Sequence, residues 1–210
     1  MHINKEQEHE ILKNLAREWK KYSSENNIIV NSCILASNFA SKTLVCVGVP
    51  HQVRVVGATV FNQRGFETFG TQPEELPDDA WSVHVSSLSR NNPQKPAFSG
   101  HVVIETENFF VDLTAEAFSR PQHQMAISDP LIVPIDKTQA FTRGVHHSAM
   151  FDVFSKVDDF RLFNFDGVWY SYYYEDWNTI YTKSPDWRCS YSELGIREVT
   201  SRVCEGILLK

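Results

Sequence analysis

The sequence lacks an apolar run long enough to cross a membrane, and this argues against an integral membrane protein. A membrane-spanning helix needs roughly 20 consecutive apolar residues. Met1 is followed by a charged stretch instead of the apolar core of a secretory signal. We therefore expect a cytoplasmic protein without a membrane partner.

Clusters of positive charge are also missing. Lys and Arg number 20 against 26 Asp and Glu, which gives a formal net charge of −6. Because binding to a phosphate backbone depends on concentrated positive charge, this balance argues against a nucleic-acid partner.

Cysteine is scarce, and the spacing of the few cysteines does not indicate a metal site. There are four, none in a CxxC pair, and the doublet His146-His147 has no matching motif. Structural zinc sites need paired ligands, so we expect no metal, and nothing implies an organic cofactor. We interpret Cys46, Cys189 and Cys204 as core or incidental residues that a cytoplasm keeps reduced, although counting alone does not exclude disulfides.

The fourth cysteine, Cys33, lies where a helix is expected to begin. Apolar residues recur at near-helical spacing from Ser32 to Val47, Asn31 is a suitable N-cap, and Gly48 and Pro50 mark the end. Cys33 would then lie in the first turn. Unpaired backbone amides and the positive end of the helix dipole favour a thiolate there and can stabilise an oxyanion.

Two β-rich runs separated by Glu107-Asn108 predict a hairpin, because asparagine in so short a gap favours a tight turn. Counting back from this turn places Val103 opposite Asp112. Side chains alternate between the faces of a strand, so His101 shares a face with Val103 and also with Asp112. The sequence therefore predicts that the Asp112 carboxylate reaches the His101 imidazole.

Cys33, His101 and Asp112 have the chemistry of a nucleophile, a general base and an orienting carboxylate. The imidazole would take a proton and return it to a leaving group, and the carboxylate would fix its tautomer. Each residue also has a simpler interpretation: a buried cysteine, a core or surface histidine, and a turn cap. His84 and His123 are reserve bases, although neither has a carboxylate placed for it.

A site of this kind also needs a second donor for the oxyanion. Asn31, Gln52 and Asn62 carry amide side chains and are candidates. Sequence order does not choose among them.

Three segments resemble the transglutaminase-like branch of the papain-like cysteine enzymes, namely NSCILASNFASKTLVCVGVP, SGHVVIETENFFVDLTAEAFSRP and NTIYTKSPDWR. They are similar to an uncharacterised group of bacterial and phage proteins. The resemblance implies the catalytic triad Cys33, His101 and Asp112. It also implies an α+β fold, in which the catalytic-Cys helix packs on an antiparallel β-sheet with flanking helices. The Arg-Gly-Gly-x-Cys signature of the arylamine acetyltransferases is absent before Cys33, which disfavours that activity.

We expect a single transglutaminase-like domain over residues 1–210. Its parts are an N-terminal helix in 1–25, a catalytic core in 31–120, and an aromatic hairpin with a closing helix in 150–210. The hydrophobic fraction of 42% is sufficient for one sizeable core.

Further elements follow from hydrophobic periodicity and turn chemistry. Lys5–Ser23 carries an apolar stripe, which predicts a helix that covers the core, with partner docking as the alternative. Asp166-Gly167 between aromatic runs predicts a hairpin whose aromatics form core, with a sugar or peptide platform as the alternative. Strands are predicted for Gln52–Asn62 and Trp81–Ser87, and a closing helix for Tyr191–Leu209.

The activity we expect is thiol-dependent acyl transfer through a Cys33 acyl-enzyme. Hydrolysis of an amide or peptide bond comes first, because water needs no second binding site, and the substrate would be a peptide, a protein or a small amide. The alternatives are a transglutaminase or deamidase acting on a protein side chain, acetyl transfer from a thioester cofactor, and a non-catalytic binding protein on the same scaffold. The sequence leaves the substrate, the acyl acceptor and the oligomeric state open.

Overall fold

The computed structural model describes residues 3–28, 33–69, 77–85, 100–123, 127, 130–142, 159–174 and 200–206. The helices are α1 (Lys5–Glu25), α2 (Cys33–Val47) and α3 (Gln63–Phe69), and residues 200–206 are also helical. The strands are β1 (His51–Phe61), β2 (Ser82–Val85), β3 (His101–Thr106), β4 (Phe109–Asp112), β5 (Leu131–Pro134), β6 (Gln139–Thr142), β7 (Asp159–Phe165) and β8 (Val168–Tyr174). Short 3₁₀ turns occupy 115–118, 121–123 and 135–137.

The strands form one antiparallel sheet in the order β5-β4-β3-β1-β8-β7-β6, with β2 also paired to β1. The sheet curls, since Glu105 in β3 contacts Arg161 in β7, three strands away. The chain is therefore a mixed α/β protein with a curled antiparallel sheet and flanking helices. This part of the predicted fold is confirmed.

The two faces of the sheet bury separate cores. Helices α1 and α2 pack on the face that carries Ile104, Phe109 and Val111. On the other face, aromatic side chains of β7 and β8 pack against Phe110 and Phe118. The body of helix α2 thus lies on one face, while the His101 side chain shares the other face with Val103. His101 is the first residue of β3 and Cys33 the first residue of α2, so the two meet where both elements begin.

Helix α1 extends two residues beyond the predicted Lys5–Ser23. It begins with a capping box, in which Asn4 and Gln7 bond to each other's backbone amides. The predicted stripe is buried, with Leu12 and Leu15 fully inaccessible, so the helix covers the core as expected. Among the helices that the structure describes, none is long and apolar enough to span a membrane.

Both predicted hairpins are present. In the first, Ile104 pairs with Val111 and Glu105 with Phe110, which is the predicted register. In the second, Asp166 and Gly167 have φ of 51° and 76°, and two consecutive residues with positive φ make the type I′ turn that the right-handed twist of a hairpin favours. Tyr170, Tyr172 and Tyr173 are buried, so the interpretation of the aromatics as core is confirmed for these three.

Other predictions hold in part. Strands β1 and β2 lie within one residue of the predicted starts, and residues 86 and 87 fall outside the described ranges. Helix α3 and strands β5 and β6 are not predicted by the sequence analysis. The closing helix is seen over 200–206, and the remainder of the predicted Tyr191–Leu209 lies outside the described residues.

The expectation that Cys46 and Cys204 are core or incidental residues kept reduced is wrong in that the two are paired, although Cys204 is buried as expected of a core residue. The structure joins them in a disulfide with Cα atoms 6.4 Å apart, across 158 residues of sequence. The bond connects the end of α2 to the helical residues 200–206. Pairings this distant depend on the tertiary fold, so spacing rules for local motifs do not detect them. Cys189 lies outside the described residues.

Candidate active site

His101 and Asp112 meet as the hairpin register predicts. His101 begins β3 and Asp112 ends β4, and their side chains point to the same face of the sheet. His101 Nε2 lies 2.8 Å from Asp112 Oδ2. Both side chains are buried, with 5% and 0% of the residue surface exposed. The predicted contact between the imidazole and the carboxylate is confirmed.

The Asp112 carboxylate receives four hydrogen bonds. Oδ1 accepts from the Thr114 backbone N–H at 2.9 Å and from the Thr114 hydroxyl at 3.3 Å. Oδ2 accepts from His101 and from the Tyr172 hydroxyl, each at 2.8 Å. A carboxylate has about four acceptor positions, so this one is filled and its orientation is fixed.

Cys33 is the first residue of α2 and a free, buried thiol with 6% exposure. Its helix is fixed to β3 by the Ser37 hydroxyl, which donates to the Val102 carbonyl at 3.1 Å. The Cys33 side chain lies close enough to His101 to contribute to the rise in the pKa of its imidazole. The residues form a chain in the order cysteine, histidine, aspartate.

Helix α2 ends where the sequence predicts, whereas the residues predicted to cap its start are not described. Gly48 has φ of 76°, the left-handed conformation that closes a helix, and Val49 N–H bonds back to Leu44. Asn31 and Ser32 lie outside the described residues.

The electrostatics favour a charged histidine. Burial lowers the pKa of His101, but the charge and hydrogen bond of Asp112, with a contribution from Cys33, raise that pKa from 6.5 to about 10. Burial likewise raises the pKa of Asp112, and the facing His101 with hydrogen bonds from Thr114 and Tyr172 holds it below its usual range. At neutral pH the pair is an imidazolium facing a carboxylate.

Aromatic rings cover this pair. Phe118 meets the His101 ring edge-on at 5.0 Å between centroids, and Tyr172 lies tilted at 6.3 Å. A buried, aromatic environment strengthens the attraction between the charges, because the local dielectric constant is low.

The reserve histidines do not join the site in the way that His101 does. His84 pairs with Thr59 of β1, whereas His101 pairs with Val56, so His84 lies on the opposite face. Its ring nitrogens contact the Thr59 hydroxyl at 2.8 Å and the Tyr173 hydroxyl at 3.2 Å. His123 ends a 3₁₀ turn at 121–123.

The described candidates for the oxyanion donor are placed elsewhere. The Asn62 amide is occupied, because its oxygen accepts from Gly65 and Trp81 and its nitrogen donates to the Asp79 carbonyl. Gln52 pairs with Glu105, four positions along β1 from the partner of His101. Asn31 lies outside the described residues.

Two residues at the site are missed by the sequence analysis. The Thr114 backbone contact had a local signal, since an aspartate side chain commonly accepts from the backbone N–H two residues further on in an Asx turn. Tyr172 had none, because its contact with Asp112 depends on the order of strands in the sheet. It is one of several tyrosines in β8, and the sequence does not distinguish it from the others.

A groove on the molecule lies away from these residues. It runs between α1 and β5, and its lining includes Lys13, Arg17, Lys20 and Ile132 but neither Cys33 nor the pair that faces it. Within the described ranges, no group of three or more His, Cys, Asp or Glu side chains is arranged to hold a metal ion.

Comparison with known proteins returns no matching family model, no matching curated protein and no matching solved structure. The relationship to the transglutaminase-like enzymes therefore stays a prediction. What the chain does must be argued from the geometry around Cys33.

Proposed function

We propose that this chain is a thiol-dependent acyl-transfer enzyme of transglutaminase-like type, with Cys33 as nucleophile, His101 as general acid and base, and Asp112 as the orienting carboxylate. The observation that carries the proposal is the buried chain of contacts from the Cys33 thiol through His101 to Asp112, with 2.8 Å between Nε2 and Oδ2. The order of the elements also supports the proposal of a transglutaminase-like scaffold. A cysteine at the start of a helix is followed along the chain by a strand that carries the histidine and then by a strand that carries the aspartate.

The proposed reaction has two halves. In the reacting form the Cys33 proton is held by His101, and the Cys33 thiolate attacks the carbonyl carbon of an amide. The C–S bond forms, and the carbonyl electron pair moves to oxygen. The oxyanion collapses, the C–N bond breaks, and the leaving nitrogen takes the proton from His101. Water then attacks the thioester as His101 accepts one of its protons, and the C–S bond breaks to release the acid.

Water is the acceptor we propose, because it requires no second binding site. The substrate class is an amide or peptide bond in a peptide, a protein or a small amide. The residues that carry the steps are all in the chain, and the steps need neither a metal ion nor a cofactor.

A second candidate is a non-catalytic binding protein on the same scaffold. The burial of Cys33 and of His101, at 6% and 5% exposure, favours it, because a nucleophile must be reached by its substrate. The contact between the two side chains favours the enzyme, because a retired site has no need to keep a thiol beside an imidazolium.

The deciding experiment is iodoacetamide labelling of Cys33 as a function of pH, read by mass spectrometry in the native protein and in His101→Ala. Cys189 is the internal control, and His84→Ala is the matched variant, since His84 lies on the other face of the sheet. We expect selective labelling of Cys33 below pH about 8.5, the ordinary thiol pKa, that is lost in His101→Ala and kept in His84→Ala.

Labelling of Cys33 no faster than Cys189, and unchanged in His101→Ala, would contradict the enzyme and favour the binding protein. If labelling is selective, a screen of amide and ester substrates follows, in which a mass increase on Cys33 identifies the acyl-enzyme. Cys33→Ser should show no such adduct under the same conditions.

We also propose the cytoplasm as the compartment, because a nucleophilic thiol must stay reduced to act. The Cys46–Cys204 pair makes this testable. The structure holds these cysteines as a disulfide, so a cytoplasmic location requires that the bond is reduced inside the cell and forms only on later oxidation. In protein quenched with an alkylating reagent as cells are broken, both cysteines should then carry the label. Recovery of the pair as a disulfide would contradict a cytoplasmic location.

A further inference from the structure

Tyr172 reaches the site from a distant part of the chain. It lies in β8, which is separated from β3 by β1. Tyr172 pairs with Ala58, two positions from the partner of His101, so both side chains lie on the same face of the curled sheet. The Tyr172 side chain is fully buried.

The contact it makes is specific. Its hydroxyl donates to Asp112 Oδ2 at 2.8 Å, the oxygen that also faces His101 Nε2 at 2.8 Å. Burial and the neighbouring Asp112 raise the pKa of Tyr172 well above its usual value, so the phenol keeps its proton and remains a donor. One carboxylate oxygen is therefore shared between the imidazole and a permanent donor.

We propose that Tyr172 is a positioning residue of the acyl-transfer site, which fixes the Asp112 carboxylate and withdraws charge from Oδ2 so that His101 can release its proton to the leaving group. This inference rests on the proposed function. It adds a fourth residue to Cys33, His101 and Asp112, and it assigns the role to the phenol hydroxyl and not to the ring.

The physical reason is a balance. An imidazolium held too strongly by its carboxylate is a poor acid, and the pKa of His101 is already raised to about 10. A hydrogen bond donated to the carboxylate stabilises its charged form and places the positive end of a dipole beside the imidazolium. The Tyr172 hydroxyl therefore fixes the orientation of the Asp112 carboxylate and at the same time lowers the affinity of His101 for its proton.

The charged and titratable groups that act on this pair are few within the described chain. His101 on β3, Tyr172 on β8 and Thr114 bond directly to Asp112. Cys33 on α2 acts through His101, and Tyr170 on β8 feels the charge of Asp112 without a hydrogen bond to it in the structure. Phe118 packs on the imidazole and carries no charge.

The test removes one oxygen atom. Tyr172→Phe keeps the ring and deletes the donor, and Tyr170→Phe is the matched control, because Tyr170 is 1% exposed and stacks parallel to Tyr172 at 6.3 Å. The readouts are the NMR titration of the His101 ring and the pH curve of Cys33 labelling. Neither needs a substrate.

We expect both curves of Tyr172→Phe to move to higher pH by about half a unit, equivalent to about threefold in a protonation equilibrium, because the dipole that opposed protonation is gone. Tyr170→Phe should leave both curves in place. Thr114→Val deletes only the hydroxyl that donates to the other oxygen of Asp112, so it should move both curves in the same direction by a smaller amount. This variant replaces Tyr172→Phe in the test if Tyr172→Phe does not fold.

Curves that do not move in Tyr172→Phe, or that move equally in Tyr170→Phe, would overturn the role of Tyr172 and leave the triad standing. In the absence of folded Tyr172→Phe, unmoved curves in Thr114→Val would do the same. Wild-type Cys33 that is unreactive, or indifferent to His101→Ala, would overturn the acyl-transfer function, and the role of Tyr172 with it. The two failures are thus distinguishable.

Discussion

At the scale of single residues, His101 and Asp112 make the stability of the fold depend on pH. The pKa of His101 is raised from 6.5 to about 10 on folding, so its contribution is fully present below pH 6.5 and is lost as the pH rises through about 10. The pKa of Asp112 is lowered, so its contribution is present above its unfolded value and is lost as the pH falls through the folded one. Stability from this pair is largest in the neutral range.

We expect Asp112→Asn to lower the free energy of unfolding by about 3 kcal/mol at pH 7, because it leaves a buried imidazole without its carboxylate. The fall in stability between pH 6.5 and 10 should be smaller in the variant than in the wild type. Urea denaturation across this range measures both effects. Asp78→Asn, at an exposed position, is the control, and an equal pH dependence in Asp112→Asn would contradict the ion pair.

Gly57 is a second residue at which the structure predicts a clear effect of substitution on stability. It pairs with Tyr173, whose ring lies directly over it, and a Cβ at Gly57 would overlap the ring. Tyr173 is 2% exposed and its hydroxyl is bonded to His84 and to the Val85 carbonyl, so the ring has little room to move.

We expect Gly57→Ala to lower the free energy of unfolding by about 2 kcal/mol, the cost typical of an overpacked core. The matched control is Gly206→Ala, since no heavy atom of the described structure lies within 4 Å of an added Cβ there. Thermal unfolding of the two variants compares them directly. Equal transition temperatures for the two variants would show that the Tyr173 ring moves aside without loss of stability.

At the scale of elements, Glu105 connects strands that are not neighbours. The carboxylate accepts from Arg54 on β1 at 3.1 Å, and from Arg161 on β7 and Tyr174 on β8. Arg161 also donates to the Thr138 hydroxyl at 3.0 Å. Burial raises the pKa of Glu105, but these donors hold it below its ordinary value. The cluster holds the sheet in its curled form.

We expect Glu105→Gln to lower the free energy of unfolding by about 2 kcal/mol at pH 7, because charge-assisted hydrogen bonds are replaced by weaker ones. The difference from wild type should shrink as the pH falls below the unfolded pKa of Glu105, 4.5. Glu107→Gln, exposed in the turn of the same hairpin, controls for the loss of one charge. Equal denaturation midpoints for the two variants would contradict this role of Glu105.

The elements that the sequence predicts well are those whose signals are local. Glu107-Asn108 and Asp166-Gly167 specify tight turns, and a tight turn sets the register of the strands on both sides. The contact between His101 and Asp112 follows from one such register. Strands β5 and β6, of four residues each, are too short to show a period, and tertiary pairing determines them.

At the scale of the whole molecule, the site depends on strand order, which local signals do not encode. Tyr172 reaches Asp112 only because β8 lies beside β1 and β1 beside β3. The resulting hydrogen bond between Tyr172 and Asp112 joins residues 60 positions apart. The sequence therefore predicts Cys33, His101 and Asp112 as candidates from two local motifs, and it does not predict Tyr172, which lies in the distant strand β8.

The Cys46–Cys204 disulfide should stabilise the whole fold. Because it closes a loop of 158 residues, the entropy it removes from the unfolded chain is large, and we expect reduction to cost about 4 kcal/mol. Denaturation of the oxidised protein with and without reductant measures this cost. Cys204→Ser should match the reduced wild type and show no response to reductant. An unchanged midpoint on reduction would contradict the stabilising role.

That disulfide also divides the chain into a covalent ring and two tails, of which the N-terminal one is the longer. The ring between Cys46 and Cys204 contains all eight described strands, with His101, Asp112 and Tyr172, whereas α1 and Cys33 belong to the N-terminal tail. A single proteolytic cut anywhere in the ring opens it without releasing a fragment. The cut protein would migrate as one species until reduction separates it into two, and until then Cys33 would remain covalently attached to both parts of the sheet.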